Sequence, residues 1–585
     1  VPPALKSWRL VPHDPHAAHA LAAALRVSPV VAQMLVRRRV TDAAAGRAFL
    51  DPPLAGLHAP AELPGVAAAA DAIIRAAAAG EKICVYGDYD VDGTTGTAIL
   101  LGLLKRIGAA AEFYIPNRRE EGYGLNADAV RALAASGVGL IVTVDCGVSA
   151  VAEAAVAQGS GVKLVVTDHH EFKPTLPAAA AVVHPRLPGG GYPNPDLCGA
   201  GVAFKLAWAV AQRASGSDKV RPKFRDYLCD ATALAALGTV ADVVPLTGEN
   251  RVFVRHGLDR LMDAPTVGLK ALLAAAGLAG KPLLAEDIAY KLGPRLNAAG
   301  RLECARQVVE LLTTDNPVRA AELADCLERL NGQRQTIERR TTQQAKEMVE
   351  ANGYDTHAGI VLASAGWHPG VVGIVASRVA ESYARPALVI ALSDDGRPAA
   401  GSGRSVAGFP LHEALDACTG CLESHGGHAA AAGFKVKPEN VDALRERFAA
   451  YVRAHFAGGM PAPVLTAEGE VPLSALTFGL LNDLARLEPY GQGNARPKFL
   501  ASGLTLVDTP RRIGQDAKHL AFRVRQGESS IRGVAWGMGD RLDELMSEGG
   551  DCCLMFTPKV NEWNGQRTVE VEVADLRAGA DPRLE

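Results

Sequence analysis

Ile83-Cys84-Val85-Tyr86 runs into Gly87-Asp88-Tyr89-Asp90-Val91-Asp92-Gly93, Leu140-Ile141-Val142-Thr143-Val144 runs into Asp145, and Leu164-Val165-Val166-Thr167 runs into Asp168-His169-His170. Each apolar run is short and rich in β-branched residues, so it reads as a buried parallel strand rather than a lone helix. In open α/β sheets, ligands sit at the carboxyl ends of such strands. If the strands are neighbours, several carboxylates and two imidazoles converge in one crevice. Anions at that density need cations to neutralise them. The pattern predicts a metal site, with two ions.

Working outward, strands are expected at residues 82–87, 112–115, 140–145, 164–168 and 182–184, alternating with Ala/Leu-rich helices from about 52 to 310. That alternation predicts a parallel, doubly wound sheet. Gly93-Thr94-Thr95-Gly96 is read as opening a helix over 97–107, whose N-terminus offers amide donors to an anion. Residues 1–50 read as helical, with no visible chemistry. Residues 316–352 are charged, with Leu323, Leu327, Leu330 and Ile337 at helical spacing, and read as a long connecting helix. Its Arg334, Arg339 and Arg340 fit either a solvated face or a wall against a phosphate backbone.

A smaller α/β domain follows over 353–460, with strands at 359–363, 387–391 and 399–403 and helices at 371–382 and 410–421. Beyond Pro461-Ala462-Pro463, strands at 500–507, 519–525, 531–536, 552–560 and 568–576 suggest a small closed barrel of the oligonucleotide-binding (OB) type over 461–577, a pattern that any five-stranded sheet fits equally well, with a tail at 578–585.

The bulk numbers set limits. A chain of 585 residues exceeds one core, so three or four domains are expected. A hydrophobic content of 48% with 21% charged residues is ordinary for a globular protein. With a formal net charge of −3, any nucleic-acid binding must come from local basic patches. The ten cysteines lack disulfide-type spacing, the start has no signal-peptide core, and no apolar run reaches about 18–20 residues. A cytoplasmic protein with reduced thiols and no membrane span is expected. Beginning at Val1, the chain is read as lacking its initiator residue or as a fragment.

Val85-Tyr86-Gly87-Asp88-Tyr89-Asp90-Val91-Asp92-Gly93-Thr94-Thr95, Val144-Asp145-Cys146-Gly147, Asp168-His169-His170 and Gly238-Thr239-Val240-Ala241-Asp242 resemble the four motifs of the DHH phosphoesterase superfamily. Gly426-Gly427-His428 through Ala431-Ala432-Gly433 is similar to the glycine-histidine motif of its associated second domain. Two narrower blocks, Gly293-Pro294-Arg295-Leu296-Asn297-Ala298-Ala299-Gly300-Arg301 and Pro489-Tyr490-Gly491-Gln492-Gly493-Asn494, resemble the bacterial exonucleases of that superfamily that are specific for single strands. The resemblance covers about residues 50 to 575. It implies a multidomain α/β protein: a DHH-type parallel-sheet catalytic domain over 51–315, the connecting helix, a DHH-associated domain and a C-terminal OB barrel.

The resemblance implies that Asp90, Asp92, Asp145, His169 and Asp242 are metal ligands, with Asp145 bridging both ions, and that His170 contacts the scissile phosphate or supports a ligand. Where many superfamily members carry a His four residues before the first motif aspartate, this chain has Tyr86, which leaves Asp88 as a substitute ligand or a support of one. Residues expected to touch phosphate or DNA are Arg118, Arg295, Asn297, Arg301, His368, Ser402, Arg404 and His428. Ser402-Gly403-Arg404-Ser405 reads as a glycine turn offering hydroxyls and a guanidinium to phosphate, with Trp367-His368-Pro369-Gly370 as another wall.

Mostly carboxylate ligands suit Mn²⁺ or Mg²⁺ better than Zn²⁺. Two such ions polarise a phosphoryl oxygen, generate hydroxide and stabilise the leaving oxygen. Cys146 should point to the opposite face of its strand. Cys418 and Cys421 sit too close to His425 and His428 for a zinc finger and read as core thiols on a helix.

The resulting expectation is a two-metal 5′-to-3′ exonuclease on single-stranded DNA, preferably 5′-phosphorylated. Its polarity, its role in DNA repair and recombination, and a single-strand-binding protein and a helicase as partners come from the resemblance alone. A monomer is expected, with a cleft between the two α/β domains too narrow for duplex. Arg511, Arg512, Lys518, Lys559 and Trp563 of the barrel would hold the strand. The rivals are a DHH hydrolase of short oligonucleotides, cyclic dinucleotides or pyrophosphate, and a non-enzymatic scaffold with a decayed site.

Overall fold

The computed structural model describes residues 6–118, 120–393, 397–582 and 584, so the first five residues of the expected N-terminal segment lie outside it. The chain divides into two compact units, one built from residues 10–329 and 467–582, the other around residues 330–466.

The first unit starts beyond a short strand β1 (Ser7–Leu10) with three helices, α1 (Pro15–Leu25), α2 (Pro29–Arg37) and α3 (Ala43–Leu50). Each begins where its sequence says it should. Asp14, Ser28 and Asp42 accept first-turn amides as N-caps, and proline occupies the first helical position of α1 and α2. The helices do not stand alone. Leu21, Leu25, Val31 and Leu35 share one buried core with Phe499, Leu520 and Phe556 of the C-terminal sheet.

After α4 (Val66–Ala78) come β2 (Lys82–Gly87), α5 (Val91–Arg106), β3 (Ala111–Tyr114), α6 (Ala127–Ala135), β4 (Val138–Val144), α7 (Val151–Gly159), β5 (Lys163–Thr167) and β6 (Ala181–Val183). The five strands form one sheet in the order β3-β2-β4-β5-β6, every pairing parallel. The order reverses beside β2, so the crevice lies outside the carboxyl ends of β2 and β4.

Two expectations for this region fail. The helix expected at 97–107 begins at Val91, because the Asp90 carboxylate caps it by accepting the Gly93 amide at 3.0 Å. Asp92 therefore sits in the first helical turn. Strand–helix alternation also stops at β6, and the chain to residue 313 is helical: α8 (Gly199–Ser215), α9 (Pro222–Ala241), α10 (Gly248–Asp263), α11 (Val267–Ala275), α12 (Ala285–Asp287), α13 (Gly293–Leu302) and α14 (Arg306–Thr313). α15 (Pro317–Ala351) is one helix of 35 residues.

The second unit holds β7 (Ile360–Ala365), α16 (Val372–Tyr383), β8 (Ala387–Leu392), β9 (Ala399–Arg404), α17 (Leu411–Ala417), β10 (Leu422–Gly427), β11 (Ala431–Val436) and α18 (Val441–His455). Its sheet runs β10-β11-β9-β8-β7. The Ser402-Gly403-Arg404 stretch, expected as a glycine turn, lies in an interior strand paired on both sides. Its glycines make room for packing, since a Cβ on Gly401 would fall 2.2 Å from the Phe434 ring and one on Gly403 2.7 Å from Leu388. Alternation along the strand places Ser402 and Arg404 on the same face. The helix expected over 410–421 stops at Ala417, followed by a 3₁₀ turn at Thr419–Cys421, and Cys418 and Cys421 are buried core thiols. β10 and β11 escaped the sequence reading because a Gly-Gly-His-Ala run resembles a loop.

Past β12 (Val464–Ala467), the first unit resumes with α19 (Phe478–Ala485), β13 (Phe499–Leu506), β14 (Arg511–Ile513), β15 (His519–Gln526), β16 (Ser529–Ala535), β17 (Asp551–Trp563) and β18 (Gln566–Ala578). The five expected strands are joined by β14 at the edge. Pairings run β13-β17-β18-β16-β15, with a short return from β15 to β13 at Thr505–Arg525. Among the described residues no single helix is long and apolar enough to cross a membrane.

Candidate metal centre

Backbone ladders carry the acidic side chains past the formal strand ends. The Asp88 amide donates to Val144 O at 3.1 Å, Asp145 to Thr167 O at 3.0 Å and Asp168 to Val183 O at 3.2 Å. Each motif acid is thus held by the next strand. Asp145 adopts φ 64°, a left-handed conformation that Asp tolerates better than most residues and that costs local strain.

Asp92 reaches the N-terminus of α8, where its carboxylate accepts the Gly199 amide at 2.5 Å and the Ala200 amide at 2.8 Å. Helix N-termini stabilise anions in this way. Asp242 caps the C-terminus of α9. Gly238, one turn earlier, allows the approach, because a Cβ there would lie 2.5 Å from Asp92 Oδ1.

His169 Nε2 lies 3.1 Å from Asp145 Oδ1, 3.6 Å from Asp242 Oδ2 and 3.7 Å from Asp92 Oδ2. Among the described residues, three groups have ligand atoms within 4.8 Å of one another: Asp92/His169/Asp242, Asp88/Asp90/Asp145 and Asp145/His169/His170. Asp145 is common to two of them. Buried atoms Asp88 Oδ1, Asp145 Oδ1, His169 Nε2 and Asp242 Oδ2 have no hydrogen-bond partner. Buried polar atoms are rarely left so. Acceptor atoms facing one another, without donors between them, fit cations.

The other residues of the crevice serve different ends. Asp168 Oδ1 accepts from the His169 and His170 amides and from His170 Nδ1 at 2.8 Å, while Oδ2 accepts the Val148 amide. Because a carboxylate only accepts, Nδ1 of His170 carries the proton. The Tyr123 hydroxyl donates to Asp145 O at 3.1 Å and lies 3.0 Å from His170 Nδ1. Tyr86 turns away from the acids into the core, where its hydroxyl donates to Gly124 O. Cys146 is buried on the same side, its thiol pushed up by burial.

Electrostatics records the same crowding. Burial, then neighbouring carboxylates, lift Asp88 and Asp145 well above the ordinary carboxylate range. Burial and Asp90 lift Asp92 to about 6 against its amide bonds, and burial with Asp92 lifts Asp242 to about 9. Burial and His170 push His169 down to about 3, a neutral imidazole suited to ligation. For His170 burial acts downward, but the bond to Asp168 outweighs it and raises the imidazole to about 9. Burial opposes Asp168 too, yet His170 holds it at about 2.

A stability prediction follows. Carboxylates raised on folding contribute stability at low pH that is lost as pH climbs through their folded values. In chelator the melting temperature should fall as pH rises above the ordinary carboxylate value of 3.8, with the share of Asp92 spent by about pH 6 and that of Asp242 lost up to about pH 9. A saturating divalent cation should flatten that decline. Thermal melts across the interval with and without chelator check it, and a level chelator curve would remove the case for an uncompensated acidic cluster.

The remaining residues predicted to touch phosphate divide between the units. In the first, Arg118 lies over the Tyr89 ring at 5.0 Å, beside Asp88 and Asp90. α13 packs on the same loop through Gly300, whose Cβ would fall 2.6 Å from Tyr89 O, and it carries Arg295, half-buried Asn297 and Arg301. Arg295 is engaged by Glu328 at 2.5 Å. In the second unit, Arg404 Nη1 donates to Ser402 Oγ at 3.0 Å, and both side chains lie beside Gly373 in the first turn of α16. The His368 Nδ1 accepts the Gly370 amide ahead of that helix. His428 sits in the β10–β11 turn, its amide bonded to Ala431 O. Tyr123 and the Gly199–Ala200 amides went unnoticed in the sequence. The Gly-Ala-Gly after Cys198 was a signal for the second, whereas Tyr123 carried none.

An acid- and imidazole-lined crevice at the carboxyl edge of this parallel sheet is the arrangement expected of a DHH-type phosphoesterase. Residues 82–235 match the DHH family N-terminal domain, 357–454 the DHHA1 domain and 467–575 the RecJ OB domain. A Bacillus subtilis protein named single-stranded-DNA-specific exonuclease RecJ is 38% identical over 97% of this chain and 70% of its own length. The structure of Thermus thermophilus RecJ in complex with Mn²⁺ superposes with a TM-score of 0.84 at 36% identity, covering 99% of this chain and 80% of that one. The same protein in complex with Mg²⁺ gives a TM-score of 0.76 at 34% identity, covering 98% and 78%. The chain belongs to the RecJ family.

Proposed function

We propose that this chain is a 5′-to-3′ exonuclease that hydrolyses phosphodiester bonds of single-stranded DNA with two divalent ions, Mn²⁺ in preference to Mg²⁺. The observation that carries the reading is the set of four buried ligand atoms without partners, shared between two acid groups that adjoin where His169 Nε2 lies 3.1 Å from Asp145 Oδ1. When bound, the ions supply Lewis acidity and a hydroxide nucleophile at neutral pH. Asp92, His169 and Asp242 would hold one, and Asp88, Asp90 and Asp145 the other. His170, kept protonated at neutral pH by Asp168, presents positive charge to the scissile phosphate. Arg118 and Arg301 steer the backbone next to the Asp88–Asp92 turn. Ser402 and Arg404, with the start of α16, bind a terminal phosphate. In the cell the enzyme works in DNA repair and recombination as a cytoplasmic monomer, alongside a single-strand-binding protein and a helicase.

Digestion of end-labelled single- and double-stranded DNA, with and without Mn²⁺, tests the reading. Mononucleotide release from the 5′ end of single strands alone, and only with metal, is expected. Cleavage confined to dinucleotides or pyrophosphate would favour a small-substrate hydrolase.

The OB domain carries the strand-holding part of the proposal. Trp563 is 73% and Trp536 49% exposed, and Lys559 Nζ lies 5.9 Å from the Trp536 ring. Deleting this domain is a poor test, because it would strip the partner from the N-terminal helices. Point variants are cleaner. Trp563→Ala should weaken binding of long strands by about 1–3 kcal/mol, the scale of one base stack. Arg511→Ala should lower the slope of affinity against salt by about one unit. Titrations over a salt series measure both, and unchanged affinity in the Trp563 variant would take the hairpin tip out of the DNA path.

A further inference from the structure

The Pro489-Tyr490-Gly491-Gln492-Gly493-Asn494 block has no part in the chemistry described so far, yet it meets the segment that follows Asp242. Val243, next to the acid, is 65% exposed with φ 61°, a conformation a β-branched residue keeps only when its surroundings impose it. The block meets the chain two and three residues further on. The Leu246 amide donates to Gln492 O at 2.7 Å. A Cβ on Gly491 would fall 2.6 Å from Leu246 Cδ1, and one on Gly493, which has φ 72°, would fall 3.2 Å from Pro245 Cβ.

The block itself is braced. Asn494 Nδ2 donates to Leu487 O and Pro489 O, its Oδ1 accepts Arg38 Nε at 2.7 Å, and buried Arg251 donates to Leu487 O and Glu488 O. On the other side, buried Asn250 donates to Pro245 O at 3.0 Å and to Asp196 O at 2.6 Å. Asp196 leads into α8, whose first amides hold Asp92. Both carboxylates of the Asp92/His169/Asp242 group are therefore tied to one brace, and none of these named bonds involves Asp88 or Asp90.

We propose that the Gly491–Asn494 turn of the OB domain is a positioning element for the Asp92/His169/Asp242 subsite, acting through Pro245 and Leu246 on Asp242; this rests on the two-ion reading above. The strand-holding domain then also sets the geometry of one metal position and leaves the other alone.

Calorimetric titration of the intact 585-residue chain, stripped of metal, with Mn²⁺ provides a test independent of turnover. The wild type should bind two ions and Asp242→Asn one. Gly491→Ala should weaken one of the two ions by about 10-fold or more, the scale for supporting contacts, and leave the other unchanged. Adding Leu246→Val, which removes the Cδ1 that the new methyl would strike, should restore it. If Gly491→Ala does not fold, Gly493→Ala takes its place with the same expectation. Two unchanged affinities, or a fall by the same factor at both sites, would overturn the proposal. Two ions still bound by Asp242→Asn would overturn the reading of Asp242 itself, and the brace with it.

Discussion

Asp145→Asn should lower cleavage of single-stranded DNA by on the order of 10³-fold or more, the upper scale for losing one preorganised electrostatic contact. Asp145 contributes to two of the three ligand groups, and its Oδ1 is buried without a partner. Asn is the right replacement. At φ 64° an Ala would add backbone strain, whereas Asn tolerates the left-handed region. The fold should survive and the metal-free protein should melt higher, because one buried anion has left a repelling cluster. Single-turnover rates at saturating Mn²⁺, paired with melting curves in chelator, measure both effects. Normal turnover would exclude Asp145 from the centre. Lost activity with a lower melting point would mean that Asp145 stabilises the fold.

Arg404→Ala should raise KM on 5′-phosphorylated strands by roughly 10- to 150-fold, about 1.5–3 kcal/mol for a lost charge-assisted contact. On 5′-hydroxyl strands the loss should be much smaller, since the extra charge is already gone. The guanidinium donates to Ser402 Oγ and to Gly403 O and lies beside the first turn of α16, so positive charge and helix amides face the same region. Kinetics on matched strands differing only at the 5′ end decide the matter. An equal loss on both would make Arg404 a backbone contact or a structural residue.

How much of this was legible depended on periodicity. The five parallel strands were readable because buried strands are continuous apolar runs that stop abruptly at charged residues, as Val144 does at Asp145. The acids could then be collected at one edge by topology alone. What could not be read were features made by distant segments. That Gly199 and Ala200 amides receive Asp92, 107 and 108 residues away, depends on a helix packing that leaves no local trace. The Ser402–Arg404 stretch was misread because glycine in a strand interior looks like a turn unless Phe434 and Leu411 are known to lie over it. Asp168 was given no role in the sequence reading, and only its hydrogen bonds identify it as the anchor of His169 and His170.

The core shared by the N-terminal helices and the C-terminal sheet has a consequence for synthesis on the ribosome. Leu35 emerges about 520 residues before Phe556, which at about 5–20 residues per second is a wait of roughly 30–100 s. For that interval the apolar faces of α1 and α2 have no permanent cover. The nascent chain offers them to chaperones and proteases, and a part made well before the OB domain is among the last to become native.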